Sequence, residues 1–306
     1  MKPWITEPGA YPELTEEQYH ADPVVGSSLS SSGARTLINE TPLHFRYQRD
    51  HPQPAKKEFD FGHAAHLVVT GSGSPIVEVP HDNWRTNASK EAAAAARAEG
   101  GVPLLTRDVE HVEAMAEVLR RHPVAGPLLM REGVGEQSFV GRDPESGVMC
   151  RVRVDWMPKV AAGERLILVD YKSAADADPR HFGTSMGRWG YHCQGPFYVD
   201  VLHWLGLTAG PDGDPIEPLF LLVAQEKEPP YAVSLDRPDD NAFAWGRVVN
   251  RKARDVFREC TEIGRWPGYE ERVHDLSLPG WLIRDYELAE SAGHFDTASD
   301  IEEALA

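Results

Sequence analysis

An apolar run that ends in Asp170-Tyr171-Lys172 constrains the fold of this chain more than any other feature of its sequence. The run, residues 166–169, is typical of a buried strand. Because side chains alternate faces along a strand, Asp170 and Lys172 would share one face, about 6–7 Å apart, and Val169 and Tyr171 would point the other way. A charge at the end of a buried strand is costly unless a metal ion or a counter-charge compensates it. The sequence therefore predicts one polar, chemical face and one core face.

A second carboxylate, Asp155, lies fifteen residues before Asp170 in another segment typical of a strand. Residues 151–157 and 165–172 are separated by a stretch with proline and glycine, which favours a turn. A hairpin of these strands would place Asp155 beside Asp170, so that two carboxylates converge on one cation with the Lys172 ammonium alongside. An isolated Asp-x-Lys triplet, by contrast, usually marks a solvated strand end.

Length and composition are those of a globular protein. The 306 residues, 41% of them hydrophobic, suffice for a full core in one large domain or two small ones. We expect a cytoplasmic protein with no membrane association, because no stretch approaches the roughly 18 apolar residues of a membrane span and the first residues lack a signal-peptide pattern. Cys150, Cys193 and Cys260 lack paired spacing, so neither a disulfide framework nor a zinc or iron–sulfur site is predicted.

The net charge of −17 argues at first sight against a polyanionic substrate, because phosphate binding relies on Lys and Arg. Seven acidic residues lie in residues 285–306, which contain no Lys or Arg, and removing these seven charges from −17 leaves −10. Basic residues occur in local groups, but the sequence does not show whether they share a face. Charge alone leaves nucleic acid open as a partner.

The remaining pattern predicts one α/β core with helical additions. Residues 1–25 are interpreted as an irregular lead-in, followed by helices that begin at serine N-caps near residue 30 and at Thr41-Pro42. The predicted strands are 136–142, 148–156 and 166–172, in an antiparallel meander, together with 76–79, 219–223 and 231–235. The other predicted helices are 59–69, 89–99, 106–121, 189–205 and 240–263. The predicted divisions are a helical N-terminal segment, 1–57, a core, 58–284, and an acidic C-terminal tail, 285–306.

Gln194 and Tyr198 are four residues apart in a predicted helix and therefore lie on one face. An amide and a phenol hydroxyl one turn apart suit binding of a phosphate or a base near a metal, although a surface Gln and a marginal Tyr give the same pattern. Pro196 costs about 3 kcal/mol in a helix interior. The helix could therefore begin near Gln194 or be kinked there.

His66 lies in an Ala-rich predicted helix, where a lone histidine is usually structural. His63 is one turn away and competes for any role. A metal ion could use either imidazole.

Taken in order, four elements of the sequence resemble the nuclease domain of the RecB-like branch of the PD-(D/E)XK superfamily: Gly62-x-x-x-His66, Asp155, Asp170-x-Lys172 and Gln194-x-x-x-Tyr198. Other segments resemble the RecE (exonuclease VIII) type of phage and prophage exonuclease. These are Ser28-Leu29-Ser30, Thr41-Pro42-Leu43-His44-Phe45, Gly101-Val102-Pro103-Leu104-Leu105-Thr106, Glu136-Gln137-Ser138-Phe139 and Gly264-Arg265-Trp266-Pro267-Gly268-Tyr269. The resemblance covers residues 26–282. Gly195, Pro196 and the acidic tail depart from the family pattern.

The resemblance implies a PD-(D/E)XK restriction-endonuclease-like core, in which helices flank a mixed central sheet, and a set of site residues. The implied ligands of Mg²⁺, or Mn²⁺ in its place, are His66, Asp155, Asp170, the backbone carbonyl of Tyr171 and, as an outer or second-metal ligand, Glu136. Lys172 would orient the attacking water and help to deprotonate it. The implied DNA contacts are Gln194, Tyr198, Arg153 and Arg188. Neither an iron–sulfur cluster nor a nucleotide cofactor is implied.

The implied activity is that of a metal-dependent DNA exonuclease, which resects linear duplex ends 5′ to 3′ and leaves a 3′ single strand for an annealing protein. Relatives of this type assemble as rings, so a homo-oligomer is expected, and a ring needs basic groups only in its channel. Two other hypotheses stay open. One is a catalytically silent protein of the nuclease fold that binds DNA ends or a recombination partner, and the other is an unrelated acidic protein whose tail mimics DNA.

Overall fold

A computed structural model describes residues 3–51, 67, 71 and 74–295. The chain forms two compact units, residues 1–268 and residues 269–306. The predicted helix 59–69, with His63 and His66, falls outside the described residues except at Leu67. Across the described part of the chain, no helix is both long enough and apolar enough to cross a membrane.

The first unit contains both strands and helices. Its described strands are β1 (Gly9–Tyr11), β2 (Leu29–Ser30), β3 (Ile76–Val79), β4 (Val102–Leu105), β5 (Gly133–Arg142), β6 (Met149–Pro158), β7 (Ile167–Ala174), β8 (Leu219–Glu226) and β9 (Val233–Asp236). Its described helices are α1 (Glu16–His20), α2 (Ser31–Asn39), α3 (Pro42–Asp50), α4 (Asn87–Ala98), α5 (Thr106–Arg121), α6 (Ala125–Leu129), α7 (Pro179–Trp189), α8 (Tyr191–Trp204) and α9 (Asp240–Ile263).

A mixed seven-stranded sheet organises this unit, in the order β1-β5-β6-β7-β8-β9, with β2 paired to β6. The predicted antiparallel meander of β5, β6 and β7 is confirmed. Strand β8 pairs with β7 in parallel, and β3 and β4 form a separate two-stranded parallel sheet. The mixed sheet with helices on both faces confirms the predicted fold class.

The two faces of the sheet carry separate cores. Leu168 of β7 packs with side chains of α2, α8 and α9, including Phe197 and Phe257. Val169 and Tyr171, whose side chains lie on the opposite face, pack with α5 and α6. Asp170 and Lys172 therefore project on the side of α8, as the alternation along the strand predicts. The face of β7 that carries Asp170 and Lys172 is therefore partly apolar, because Leu168 on the same face belongs to a core.

The N-terminal segment contributes strands as well as helices. Residues 9–11, which the sequence analysis assigned to an irregular lead-in, form the edge strand β1 against β5. Residues 29–30 add β2 beside β6. Such short strands carry no readable period of two, so pairing with the sheet defines them.

The predicted helix 189–205 is confirmed as α8, and α7, which the sequence analysis did not predict, precedes it. Gly190, with φ +68°, ends α7, and α8 begins at Tyr191 rather than at Gln194. Pro196 lies inside α8 and cannot donate to the carbonyl of His192. A Cβ on Gly246 of α9 would lie 2.2 Å from that carbonyl oxygen, so only a glycine allows α9 to pack against α8 at the proline.

The second unit contains helix α10 (Gly280–Ser291). This helix crosses the predicted division at residue 285. Large apolar side chains are exposed along it, including Trp281 and Leu288.

Candidate active site

Several residues predicted from the sequence line one cavity of about 260 Å³ in the first unit. They are Glu136, Arg153, Asp155, Lys172, Gln194 and Tyr198. Strands β5, β6 and β7 form one wall, and α8 forms another. Residues from α1 and α2, together with Ser74, complete the lining.

The hairpin of β6 and β7 brings the two aspartates together. Trp156 pairs with Val169, and Asp155 and Asp170 are the next residues along the two strands in the same direction. The backbone N–H of Tyr171 donates a hydrogen bond of 2.9 Å to Asp155 Oδ2. The register of the hairpin thus places one carboxylate beside the other.

Asp170 is the centre of a buried polar network. It is 1% exposed, and its Oδ2 lies 2.6 Å from Lys172 Nζ. Gln194 Nε2 donates to Asp170 Oδ1 at 2.5 Å and to Tyr198 Oη at 3.1 Å. The four-residue spacing therefore places both side chains on one face of α8, where Gln194 binds Asp170 and the Tyr198 hydroxyl binds the Gln194 amide.

The charges of these groups are strongly coupled. Burial, and then the neighbouring Asp170 carboxylate, raise the pKa of Asp155 to about 8. Burial lowers the pKa of Lys172, but the two carboxylates more than offset this effect, and the net pKa of Lys172 is raised. Without a bound cation, Lys172 is therefore an ammonium at neutral pH rather than a proton acceptor.

The oxygen atoms at the site fit a hard divalent cation. Asp170 Oδ2 is buried, and the positive charge that it contacts is the Lys172 ammonium, 2.6 Å away. The carboxylate of Asp155 lies on the adjacent strand, and carboxylate oxygens are ligands that Mg²⁺ and Mn²⁺ prefer. Among the described residues, no group of three or more His, Cys, Asp or Glu side chains could hold a metal ion. The predicted imidazole ligand, His66, lies outside the described residues, and the Tyr171 carbonyl stays a prediction.

Glu136 has an unusual backbone. Its φ is +53°, a left-handed conformation that costs a non-glycine residue roughly 1–3 kcal/mol and is concentrated at functional sites. The residues on either side of it, Gly135 and Gln137, pair with Trp156 and Val154, so the distortion faces Asp155. The Glu136 carboxylate accepts a hydrogen bond of 2.7 Å from Arg153 Nε.

The two predicted arginines occupy different environments. Arg153 also donates to the Leu14 carbonyl and to Ser138 Oγ, each at 2.8 Å, so its guanidinium is held inside the protein. Arg188 is exposed at the end of α7 and stacks over the exposed Trp189 ring at 5.3 Å. Arg153 lines the cavity, whereas Arg188 is not among the lining residues.

Sequence reasoning missed the contribution of α1. Tyr19 lines the cavity, and its hydroxyl donates to the Arg151 carbonyl at 3.3 Å. Burial raises the pKa of Tyr19 to about 12. One sequence signal indicated this helix: Thr15 and Gln18 have the spacing of a capping box, which is typical of a helix N-terminus.

Two further residues near the cavity were also missed. Arg35 of α2 lines the cavity and donates to the Trp189 carbonyl. The ring of Tyr191, the first residue of α8, lies 4.8 Å from Lys172 Nζ. Serine N-caps predicted α2, but nothing local in the sequence places either residue here.

A mixed sheet with two aspartates and a lysine on adjacent central strands defines the PD-(D/E)XK nuclease fold. The family model described as "PDDEXK-like domain of unknown function (DUF3799)" matches residues 37–276. The chain belongs to this family.

Comparison with solved structures supports the same fold. The crystal structure of "Putative exonuclease" from Eubacterium rectale has a TM-score of 0.56 to this chain at 12% sequence identity. The match covers 90% of this chain and 98% of that one. Comparison with curated protein sequences finds no match.

Proposed function

We propose that this protein is a metal-dependent nuclease that hydrolyses phosphodiester bonds of DNA. The observation that carries the proposal is the convergence of Asp155, Asp170 and Lys172 around a buried carboxylate oxygen that contacts the ammonium at 2.6 Å. Buried acidic pairs with a cation beside them are costly to desolvate, and such arrangements are concentrated at functional sites. Membership in a PD-(D/E)XK-like family supports the same activity.

Each of the described site residues has a separate role in the proposed reaction. Asp155 and Asp170 would hold Mg²⁺, or Mn²⁺ in its place, which when bound supplies an acidified water and positive charge near the phosphate. Lys172, as an ammonium, would donate to that water or to a phosphate oxygen and stabilise the negative charge that develops there. Gln194 and Tyr198 would keep Asp170 in position through the hydrogen bonds described above.

The finer proposal is an exonuclease that acts on ends of linear duplex DNA, 5′ to 3′, and leaves a 3′ single strand for an annealing protein. It rests on the resemblance to RecE-type enzymes and agrees with the name of the Eubacterium rectale protein. Arg35 at the cavity, and Arg188 with Trp189 on the exposed end of α7, are the basic and aromatic groups we assign to contact with the strand. A homo-oligomeric ring would concentrate such groups in a channel despite the net charge of −17.

The test is degradation of linear duplex DNA labelled at the 5′ end or at the 3′ end of one strand, with Mg²⁺, with Mn²⁺ and with EDTA. Metal-dependent shortening from the ends, abolished by Asp170→Ala and Lys172→Ala, is the expected result, and the labels report polarity. The matched control is Lys159→Ala, because Lys159 pairs with exposed Glu132 outside the cavity. Cleavage of closed circular DNA at a similar rate would show that the activity is that of an endonuclease and not of an exonuclease. DNA binding without cleavage under either metal would favour the catalytically silent protein.

A further inference from the structure

The Lys172 ammonium lies between two unlike partners. On one side it contacts Asp170 Oδ2 at 2.6 Å. On the other side it faces the Tyr191 ring, 4.8 Å from the ring centroid, which is within the range of a cation–π interaction. The side chain of Lys172 is 20% exposed, so this interaction is partly shielded from water and stronger than one on the surface.

The Tyr191 ring is held in place by the turn between α7 and α8. Gly190 adopts φ +68° at this turn, and a Cβ there would lie 2.6 Å from Arg35 Cδ. Arg35 donates to the Trp189 carbonyl, which ties α2 to the same turn. The ring also contacts Phe182 of α7, with centroids 6.2 Å apart. The position of the ring is thus determined by three helices.

The first turn of α8 serves both members of the Asp170–Lys172 pair. Tyr191 faces the lysine, and Gln194, three residues later on the same side of the helix, hydrogen-bonds to the aspartate. The aspartate therefore has a fixed donor that does not depend on the lysine. The lysine has a fixed aromatic partner that does not depend on the aspartate.

A divalent cation at Asp155 and Asp170 changes the balance between these partners. It competes with the ammonium for Asp170 Oδ2 and repels it, because both are positive. The ammonium then needs a second favourable position that keeps it beside the cleft. The ring face of Tyr191 is such a position, because its attraction for a cation does not involve either carboxylate.

We propose that Tyr191 is a positioning residue, whose ring retains the Lys172 ammonium at the cleft when a divalent cation takes over Asp170. This role rests on the proposed metal-dependent nuclease function. Without the ring, the ammonium competes more strongly for Asp170, so cation binding weakens. The Lys172 ammonium is also less well placed at the cleft, so the rate of DNA cleavage by the metal-bound protein falls.

The test compares Tyr191→Phe, which keeps the ring, with Tyr191→Leu, which removes the ring and keeps an apolar side chain. Mn²⁺ binding is measured by calorimetry without DNA, and kcat and KM are measured for duplex cleavage. We expect Tyr191→Phe to stay within about twofold of the unaltered protein. We expect Tyr191→Leu to weaken Mn²⁺ binding by about 2- to 30-fold and to lower kcat more than it raises KM.

A double-mutant cycle separates this role from a structural one. In the Lys172→Met background, Tyr191→Leu should no longer change Mn²⁺ binding, because no ammonium remains to compete. The same loss in both backgrounds, or equal losses in the Phe and Leu variants, would overturn the role of the ring. If the unaltered protein neither binds Mn²⁺ nor cleaves DNA, the metal-dependent nuclease itself is overturned, and the role of Tyr191 with it.

Discussion

The backbone N–H of Tyr171 donates a 2.9 Å hydrogen bond to the carboxylate of Asp155 on the neighbouring strand. The strand that carries Asp170 therefore also holds the second acidic residue in place. Because the contact is made by backbone, replacing the Tyr171 side chain does not remove it. The burial of Asp155, and then its repulsion by the Asp170 carboxylate, lead to a prediction about pH.

Asp155→Asn is expected to stabilise the metal-free protein while abolishing cleavage. The pKa of Asp155 is raised from 3.8 to about 8, so between these values the folded state binds more protons than the unfolded state. The free energy of unfolding of the unaltered protein therefore falls as pH rises through this window. Asparagine does not titrate. The difference in free energy of unfolding between the variant and the unaltered protein should therefore grow with pH, to about a few kcal/mol.

Urea denaturation in EDTA at pH 5 and pH 8 measures this effect. Asp212→Asn, at an exposed position, is the control, and its stability should follow the unaltered protein at both pH values. An advantage of Asp155→Asn that is the same at both pH values would contradict the prediction.

Lys172→Met is expected to lower the cleavage rate by about 10²- to 10³-fold, as removal of a charge-stabilising donor does in other sites. Mn²⁺ affinity should hold or rise, because the ammonium that contacts Asp170 is gone. Single-turnover cleavage and Mn²⁺ titration give the two quantities. Lys159→Met should leave both unchanged, since Lys159 pairs with exposed Glu132. Parallel loss of rate and metal affinity would show instead that Lys172 supports the site structurally.

Gln194→Leu should impair the site more than Tyr198→Phe. Leucine removes the donor to the buried Asp170 Oδ1 and leaves that oxygen unsatisfied, at a cost of about 1–3 kcal/mol. Phenylalanine removes only the weaker 3.1 Å contact to the same amide, worth about 0.5–1.5 kcal/mol. Thermal unfolding and Mn²⁺ binding of both variants test the order. Equal effects would mean that the Tyr198 hydroxyl has a role beyond holding Gln194.

Gly246→Ala is expected to destabilise the fold by about 1–3 kcal/mol, because the new methyl group would overlap the His192 carbonyl oxygen. Gly183→Ala is the matched control, since Gly183 lies in helix α7 with open space around it. That substitution should be neutral or stabilise by about 0.5–1 kcal/mol. Denaturant midpoints measure both. A stable Gly246→Ala protein would show that α9 can shift away from α8.

Local pattern accounts for much of this fold. The alternation along residues 166–172 predicts the two faces of β7, and the turn residues before it predict the hairpin with β6. The long helix 240–263 is also confirmed with the bounds predicted from the sequence. In each case the signal lies within a few neighbouring residues.

Other features depend on contacts between distant parts of the chain. Pro196 is tolerated inside α8, with Gly246 of α9 packed against the carbonyl that the proline leaves without a donor. The cavity wall supplied by Tyr19 depends on packing of α1 near β6. No spacing rule within the sequence reveals either pairing.

The sequence by itself determined which side chains share a face, because alternation along a strand and four-residue spacing on a helix are local consequences of backbone geometry. It thereby determined the polar side of β7 and the shared face of Gln194 and Tyr198. Only the tertiary structure decided that these groups meet around Asp170, and that Tyr191 and Arg35 stand beside them. The reason is physical: such contacts depend on how whole helices and strands pack, and packing is determined by the fit of many side chains at once.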